Sequence, residues 1–326
     1  MLRVLITGSS GQIGTNLGLR LLDEGHQVFG VDRRANPWTT RIPTLLQDLA
    51  QPHRDFRGGI GGAPYPAVDV VVHLAANAKV HELVSQPHRA LENITVTHNV
   101  LEYCREQGLP LIFSSSREVY GDIHRYITDE QGADFSFTES PYSASKIAGE
   151  ALIYSYARCY GLRYIVFRFS NVYGRFDNDI ERMERVLPLF IERIDRGEPV
   201  TVFGREKVLD FTYVDDCVDG IVRGIERLHA GIVVNQTINL AYGAGNSLVS
   251  AAESIASALG KPAQIQVEAA KRVGEVTYYV ADISRARDLL GYQPQVPLAE
   301  GIRRAVAWRR SRIEPGVEHA AAEEYV

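Results

Sequence analysis

The chain has 326 residues, 45% of them apolar, 23% charged, with a formal net charge of −5. That length supports one large or two modest cores, and the negative balance leaves no basic surplus for a phosphate backbone, so nucleic acid is not an expected partner. The isolated thiols Cys104, Cys159 and Cys217 lack metal-ligand spacing and read as inert buried residues of a cytoplasmic protein that holds no metal.

The opening "MLRVLITG" is far shorter than the ~18 apolar residues that span a bilayer, and no small-residue cleavage site follows it. It reads as the first strand, with no membrane role. Up to about residue 170, the runs "LRVLIT", "HQVFGVD", "VDVVVHLA", "PLIFSSS" and "RYIVFRFS" are continuously apolar, as parallel strands covered on both faces are. Helical patterns separate them. In the first, Ile13, Leu17 and Leu21 recur every four residues and Gly25 closes the segment. The alternation predicts an α/β, Rossmann-type doubly wound parallel sheet, which binds ligands beyond the carboxyl ends of its strands.

The Gly/Pro-rich stretch 51–66 reads as a loop. After residue 170 come a helix near 184–195, short strands at "VTVF" and "FTYV", and helices near 215–228 and 248–259. The expected organisation is a cofactor domain over 1–170 and a smaller α+β substrate lobe over 171–313. Segment 205–230 is a candidate to return to the first domain, and 314–326 is a frayed tail.

At the first strand-to-helix turn, "ITGSSGQIG" places Gly8, Gly11 and Gly14, with Gln12 and Ile13 between them. Glycines there permit a tight turn and let backbone approach a pyrophosphate at the helix N-terminus. Asp32, ending the second strand, has the position that holds an adenosine ribose diol and repels a 2′-phosphate, which points to NAD. Arg33 and Arg34 pull weakly toward NADP.

"SPYSASKIAGE" carries Tyr142 and Lys146 four residues apart on one helix face. A phenol with a pKa of about 10 is a poor base, and a neighbouring ammonium is expected to lower it.

Together with "DVVVHLAA", "ENITVTHNVLEYC", "SSSREVYG", "RFSNVYG", "LDFTYVDD" and "ADISRARDLLGYQP", these motifs give nearly the whole chain a resemblance to the extended short-chain dehydrogenase/reductases, in their nucleotide-sugar epimerase, dehydratase and decarboxylase branch. The resemblance implies Ser116, Tyr142 and Lys146 as catalytic, with Glu118 beside them. It adds Asp48, Leu49, Leu74, Ala75, Ala76, Ser114 and Phe169 to the NAD site. Lys79, Asn171, Arg185, Val186, Leu187, Val202, Arg205, Lys207 and Arg272 would face the nucleotide sugar, with UDP favoured. Helices near 90–106 and 142–158 resemble a two-fold dimer interface, so a homodimer is expected.

By the same resemblance, Tyr142 takes the C4 hydroxyl proton while hydride leaves C4, giving a 4-keto sugar that is then epimerised, dehydrated or decarboxylated. The two residues after the catalytic serine lie where these branches separate. Family dehydratases carry Asp then Glu there, whereas this chain has Arg117 and Glu118. A guanidinium is always protonated and cannot serve as the acid of dehydration, but it can pair with a carboxylate. The reading is an NAD-dependent 4-epimerase of a UDP-hexuronate such as UDP-glucuronate. A decarboxylase or dehydratase is the alternative, and a nucleotide-sensing protein without catalysis the remote one. Internal pairing of Arg117 with Glu118 remains open, and Leu209 stands where many relatives place a diphosphate arginine.

Overall fold

The structure, a computed structural model, describes residues 1–51, 67–122, 127–132, 138–177, 185–269, 274 and 276–313. Nearly all of the expected 51–66 loop, the tail from Glu314, and Arg272 lie outside the described residues.

The first part of the chain runs β1 (Arg3–Thr7), α1 (Gln12–Asp23), β2 (Gln27–Asp32), β3 (Thr44–Leu46), β4 (Val70–His73), α2 (Val80–Ser85), α3 (His88–Gln107), β5 (Leu111–Ser116), α4 (Pro141–Tyr160) and β6 (Tyr164–Phe169). It continues through β7 (Asn171–Tyr173), α5 (Val186–Asp195), β8 (Val200–Phe203), β9 (Val208–Tyr213), α6 (Val214–His229) and β10 (Gln236–Leu240). The last elements are β11 (Gly245–Ser247), α7 (Leu248–Leu259), β12 (Ile265–Glu268), β13 (Tyr278–Tyr279), α8 (Ser284–Leu290) and α9 (Leu298–Ile313).

Seven strands form one parallel sheet in the order β10-β6-β5-β4-β1-β2-β3. The five apolar runs named from sequence are its centre. Their continuity has a direct cause: Val4 and Ile6 enter one core while Leu5, between them, enters the other, and Val70, Val72 and Val71 divide in the same way. Successive side chains of a strand point to opposite faces, so a strand covered on both must be apolar throughout. Helices α3 and α4 cover one face, and α1 and α6 lie together on the other.

Two sheet strands escaped the sequence reading. β3 is only three residues long, and β10 is contributed by residues 236–240, paired with β6 far from it in sequence. Beyond the sheet, β9 pairs with β7, β11 and β13, while β8 and β12 form a separate parallel pair beside α5 and α7.

Cys104 and Cys217 are buried, and burial pushes both thiols up. Cys159 corrects the expectation of three buried thiols. It is exposed because it lies on the outward side of the last turn of α4.

Candidate active site

The sheet order reverses between β1 and β4, and the carboxyl ends of those strands open onto a cleft of about 1170 Å³. Its cofactor end is built by close backbone contact. Gly8 has φ +77°, and a Cβ there would stand 2.7 Å from the Ala75 nitrogen. A Cβ on Gly14 would meet the Gly8 carbonyl oxygen, so the helix packs directly on the turn. Gly11 caps α1 without a side-chain hydrogen bond, and no acidic residue occupies the first turn. Uncapped amides at a positive helix end, with no competing carboxylate, suit a pyrophosphate.

Asp32 accepts from the Ser10 and Arg34 backbone amides at 3.0 Å each, which fixes its carboxylate at the end of β2. Arg33 donates to Asn77 Oδ1 at 3.2 Å, so that guanidinium is directed to the protein. These contacts fit a dinucleotide with a free ribose diol. Every residue expected at the NAD site lines the cleft: Gly8, Gly11, Gln12, Ile13, Gly14, Asp32, Arg33, Asp48, Leu49, Leu74, Ala75, Ala76, Ser114, Tyr142, Lys146 and Phe169. The Gln12 side chain, however, donates to the Gly174 and Arg175 carbonyls and accepts from Arg185 at 2.6 Å. It ties the turn to β7 and to the segment entering α5.

The helix bearing Tyr142 and Lys146 starts where its sequence requires. Ser140 and Ser143 form a reciprocal capping box, and Pro141 takes the first position. Lys146 Nζ donates to the Ser114 carbonyl at 2.7 Å and lies 5.9 Å from the Tyr142 ring centre. Burial lowers the Lys146 pKa to about 8, with Glu150 acting against it. Burial also raises Tyr142 to about 12, opposed by a hydrogen bond to Ser116 and by Arg185 and Arg117. This corrects the expected lowering: desolvation of a buried phenol is the largest influence on Tyr142, and the ammonium of Lys146 is directed to the Ser114 carbonyl. Ser116 ends β5 and caps the turn 117–120 by accepting from the Glu118 amide at 3.2 Å.

Arg117 and Glu118 face each other at 2.9 Å with both side chains nearly enclosed. Arg117 also donates to Asn171 Oδ1 at 3.2 Å and stands over the Tyr279 ring at 5.8 Å. Its Nη1 is buried and has no hydrogen-bond partner among the described residues. The internal pairing left open by the sequence is therefore formed, with the Nη1 amino group of the guanidinium to spare.

The sequence model of the NAD dependent epimerase/dehydratase family matches residues 4–241. The chain belongs to this family. It is 31% identical to a UDP-glucuronate 4-epimerase of Thermodesulfobacterium geofontis over 95% of this chain and 97% of the relative. A Thermus thermophilus UDP-glucose 4-epimerase solved in complex with NAD superposes with a TM-score of 0.83, 29% identity, and 95% and 99% coverage of the two chains. A UDP-glucuronic acid decarboxylase of Xenopus tropicalis is 28% identical over 99% of this chain and 75% of its own length. The protein is accordingly an epimerase-type enzyme that uses NAD.

On the enzyme's substrate side the expected residues divide. Lys79, Ser116, Arg117, Glu118, Asn171, Arg185, Val186, Leu187 and Lys207 line the cleft. Val202 and Arg205 do not. Val202 points into the core from β8 and is 1% exposed, whereas Arg205 is exposed in the β8–β9 turn. Of the two cations considered as substitutes at Leu209, only Lys207 is in the cleft. The Asn171 amide is engaged by protein, accepting from Arg117 and donating to the Asp210 carbonyl at 3.0 Å.

Two contributors, Asn93 and Glu150, were missed. Asn93 accepts from the Asn77 amide at 2.7 Å and donates to the Asn77 carbonyl and Ser145 Oγ at 3.1 Å each, locking the β4 loop to α3 and α4. A polar residue on the buried face of α3 was the available signal. Glu150 was also legible, since it continues the Tyr142 and Lys146 stripe by one more turn.

Proposed function

We propose that the enzyme is a 4-epimerase of a UDP-hexuronate such as UDP-glucuronate, acting in the cytoplasm as a homodimer. The observation that carries the substrate is Arg117, immediately after Ser116 in the cleft wall, with a buried donor at Nη1 still unsatisfied. A substrate carboxylate beside the reacting C4 would satisfy it by a charge-assisted hydrogen bond. The likeness to a UDP-glucuronate 4-epimerase along almost the full chain supports the same reading.

In this reading Ser116 hydrogen-bonds the sugar O4 and Tyr142 exchanges its proton. NAD, when bound, supplies the acceptor and then the donor of the C4 hydride, together with a positive charge beside the phenol. Burial pushes Tyr142 up, so its ionisation depends on groups that oppose burial, and the Ser116 hydrogen bond, Arg185 and Arg117 are this chain's contributions, with Lys146 Nζ 5.9 Å from the ring centre. Gly8, Gly11 and Gly14 would seat the pyrophosphate, Asp32 the adenosine ribose, and Lys207 the substrate diphosphate.

A neutral UDP-hexose is the second reading, favoured by the Arg117–Glu118 pair, which already balances the guanidinium. The test is to incubate the enzyme with UDP-glucuronate and UDP-glucose and to identify products by mass and NMR. A 4-epimer of unchanged mass from the uronate is expected; loss of carbon dioxide or of water would make the enzyme a lyase. Arg117→Met should lower kcat/KM on the uronate by about 10- to 150-fold, and far less on the hexose. Equal efficiency on both sugars in both proteins would overturn the uronate assignment.

A further inference from the structure

Behind the cleft lies a buried ion pair that touches neither the cofactor turn nor the substrate side. Glu150 and Arg168 have side chains 6% exposed and meet in the two-pronged manner, Nε to Oε1 at 2.9 Å and Nη2 to Oε2 at 2.7 Å. Such a pair rarely adds stability over apolar packing, so its worth is more often in what it holds in place. Here the contacts to Ser115 and Tyr120 lead to parts of the candidate site, while the Tyr154 hydroxyl donates to Glu150 Oε2 at 2.8 Å from the same helix.

Glu150 sits one helical turn after Lys146 and two after Tyr142. Its Oε1 accepts from Ser115 Oγ at 2.6 Å. Ser115 is flanked by Ser114, whose carbonyl receives Lys146, and by Ser116. Arg168 is the β6 register partner of Ser115, so the pair closes a triangle among α4, β5 and β6. Arg168 Nη1 continues to the Tyr120 hydroxyl at 3.2 Å and the Glu130 carbonyl at 2.8 Å, and the Tyr120 hydroxyl donates to Asn239 Oδ1 at 2.5 Å. Tyr120 ends the turn that carries Arg117 and Glu118.

We propose that Glu150 is a positioning residue: through Ser115 and Arg168 it fixes the Tyr142–Lys146 helix against the strand bearing Ser116, so that the three act on one transferred proton. The inference rests on those three residues being the proton-transfer group. Glu150 also lies one turn from Lys146 on α4 and raises its pKa against burial. The titratable groups around the pair are Tyr154 on α4, Tyr164 on β6, and Tyr120 and Glu130 from the turns, and Lys146 in turn faces His73 on β4. Arg168 itself is pulled down by burial but held above its ordinary value by Glu150.

Glu150→Gln preserves size and removes the charge. Displacement of a reacting group by about 1 Å costs about 100-fold, so kcat should fall by that order while KM for the nucleotide sugar stays within about 3-fold. The alkaline limb of the kcat profile, set by loss of the Lys146 proton, should move to lower pH, because the carboxylate favouring the ammonium is gone. Glu150→Asp, which keeps the charge, should return that limb toward its original place and recover part of kcat. Ser115→Ala cuts the link to β5 without touching the ion pair, and should lower kcat several-fold at unchanged NAD affinity. It decides the matter if Glu150→Gln does not fold. An unmoved alkaline limb in folded Glu150→Gln, or Ser115→Ala with wild-type kcat, would overturn the proposal. Near-normal turnover in Tyr142→Phe would instead remove the proton-transfer reading on which it rests.

Discussion

The cofactor half and the substrate half of the cleft differ in how they are built. All the residues expected at the NAD site reach the cleft, most of them around the carboxyl ends of β1, β2 and β4 and the rest from β5, α4 and β6, whereas on the other side Val202 and Arg205 miss it and Asn171 is turned to Arg117 and Asp210. The first half is centred on backbone brought close by the glycines of one turn, Gly8 against Ala75 and Gly14 against Gly8. The second is made of side chains from β7, the segment entering α5, and β9, which meet only when distant strands pair. Local backbone geometry is written in a few adjacent residues; convergence of long side chains is not.

The largest expected effect lies where the two halves join. Tyr142→Phe keeps the ring and removes the titrating oxygen, so turnover should fall at least about 100-fold, while titration shows NAD binding retained. Turnover within a few-fold of wild type would take Tyr142 out of the chemistry.

Next comes the cofactor half itself. Gly8→Ala puts a Cβ against the Ala75 nitrogen at a φ that disfavours any side chain, a strain of about 1–3 kcal/mol. NAD affinity should drop about 10-fold or more by calorimetry. Unchanged affinity would show that the close approach of β1 and β4 does not shape the site.

The halves should also respond oppositely to acid. Burial lowers His73, under the cofactor turn, to about 3, so the unfolded chain binds the extra proton between the ordinary value of 6.5 and 3, and stability is lost as pH falls through that window. Burial raises Asp210, under the substrate side, to about 7 despite the backbone amides of Ala281, Gly243 and Tyr242. There the folded chain binds the extra proton between 7 and 3.8, and stability is gained as pH falls. In urea denaturation from pH 8 to 4, His73→Asn should lose less stability on acidification than wild type and Asp210→Asn more, by roughly 1–3 kcal/mol each. Parallel curves for all three proteins would show that neither group titrates on unfolding.

The smallest effect is a null. Arg205→Ala, at an exposed position away from the cleft, should leave kcat/KM within about 2-fold, since surface changes away from special features cost little. A loss comparable to that of Lys207→Ala would place Arg205 in the substrate clamp after all.

The sequence by itself determined the central strands, the glycine turn with Asp32, and the helix carrying Tyr142 and Lys146, because each depends on contiguous residues whose period or backbone freedom allows one local answer. It also held the Tyr142, Lys146 and Glu150 stripe, although Glu150 acquires its partner only when β6 lies beside β5 and brings Arg168 opposite Ser115. Tertiary structure alone decided that residues 236–240 complete the sheet, that Lys207 rather than Arg205 enters the cleft, and that Arg117 meets Glu118, Asn171 and Tyr279 together. It also decided how strongly burial raises Tyr142. A four-residue spacing places an ammonium near a phenol, but how strongly burial opposes ionisation depends on how completely the folded chain excludes water from the ring.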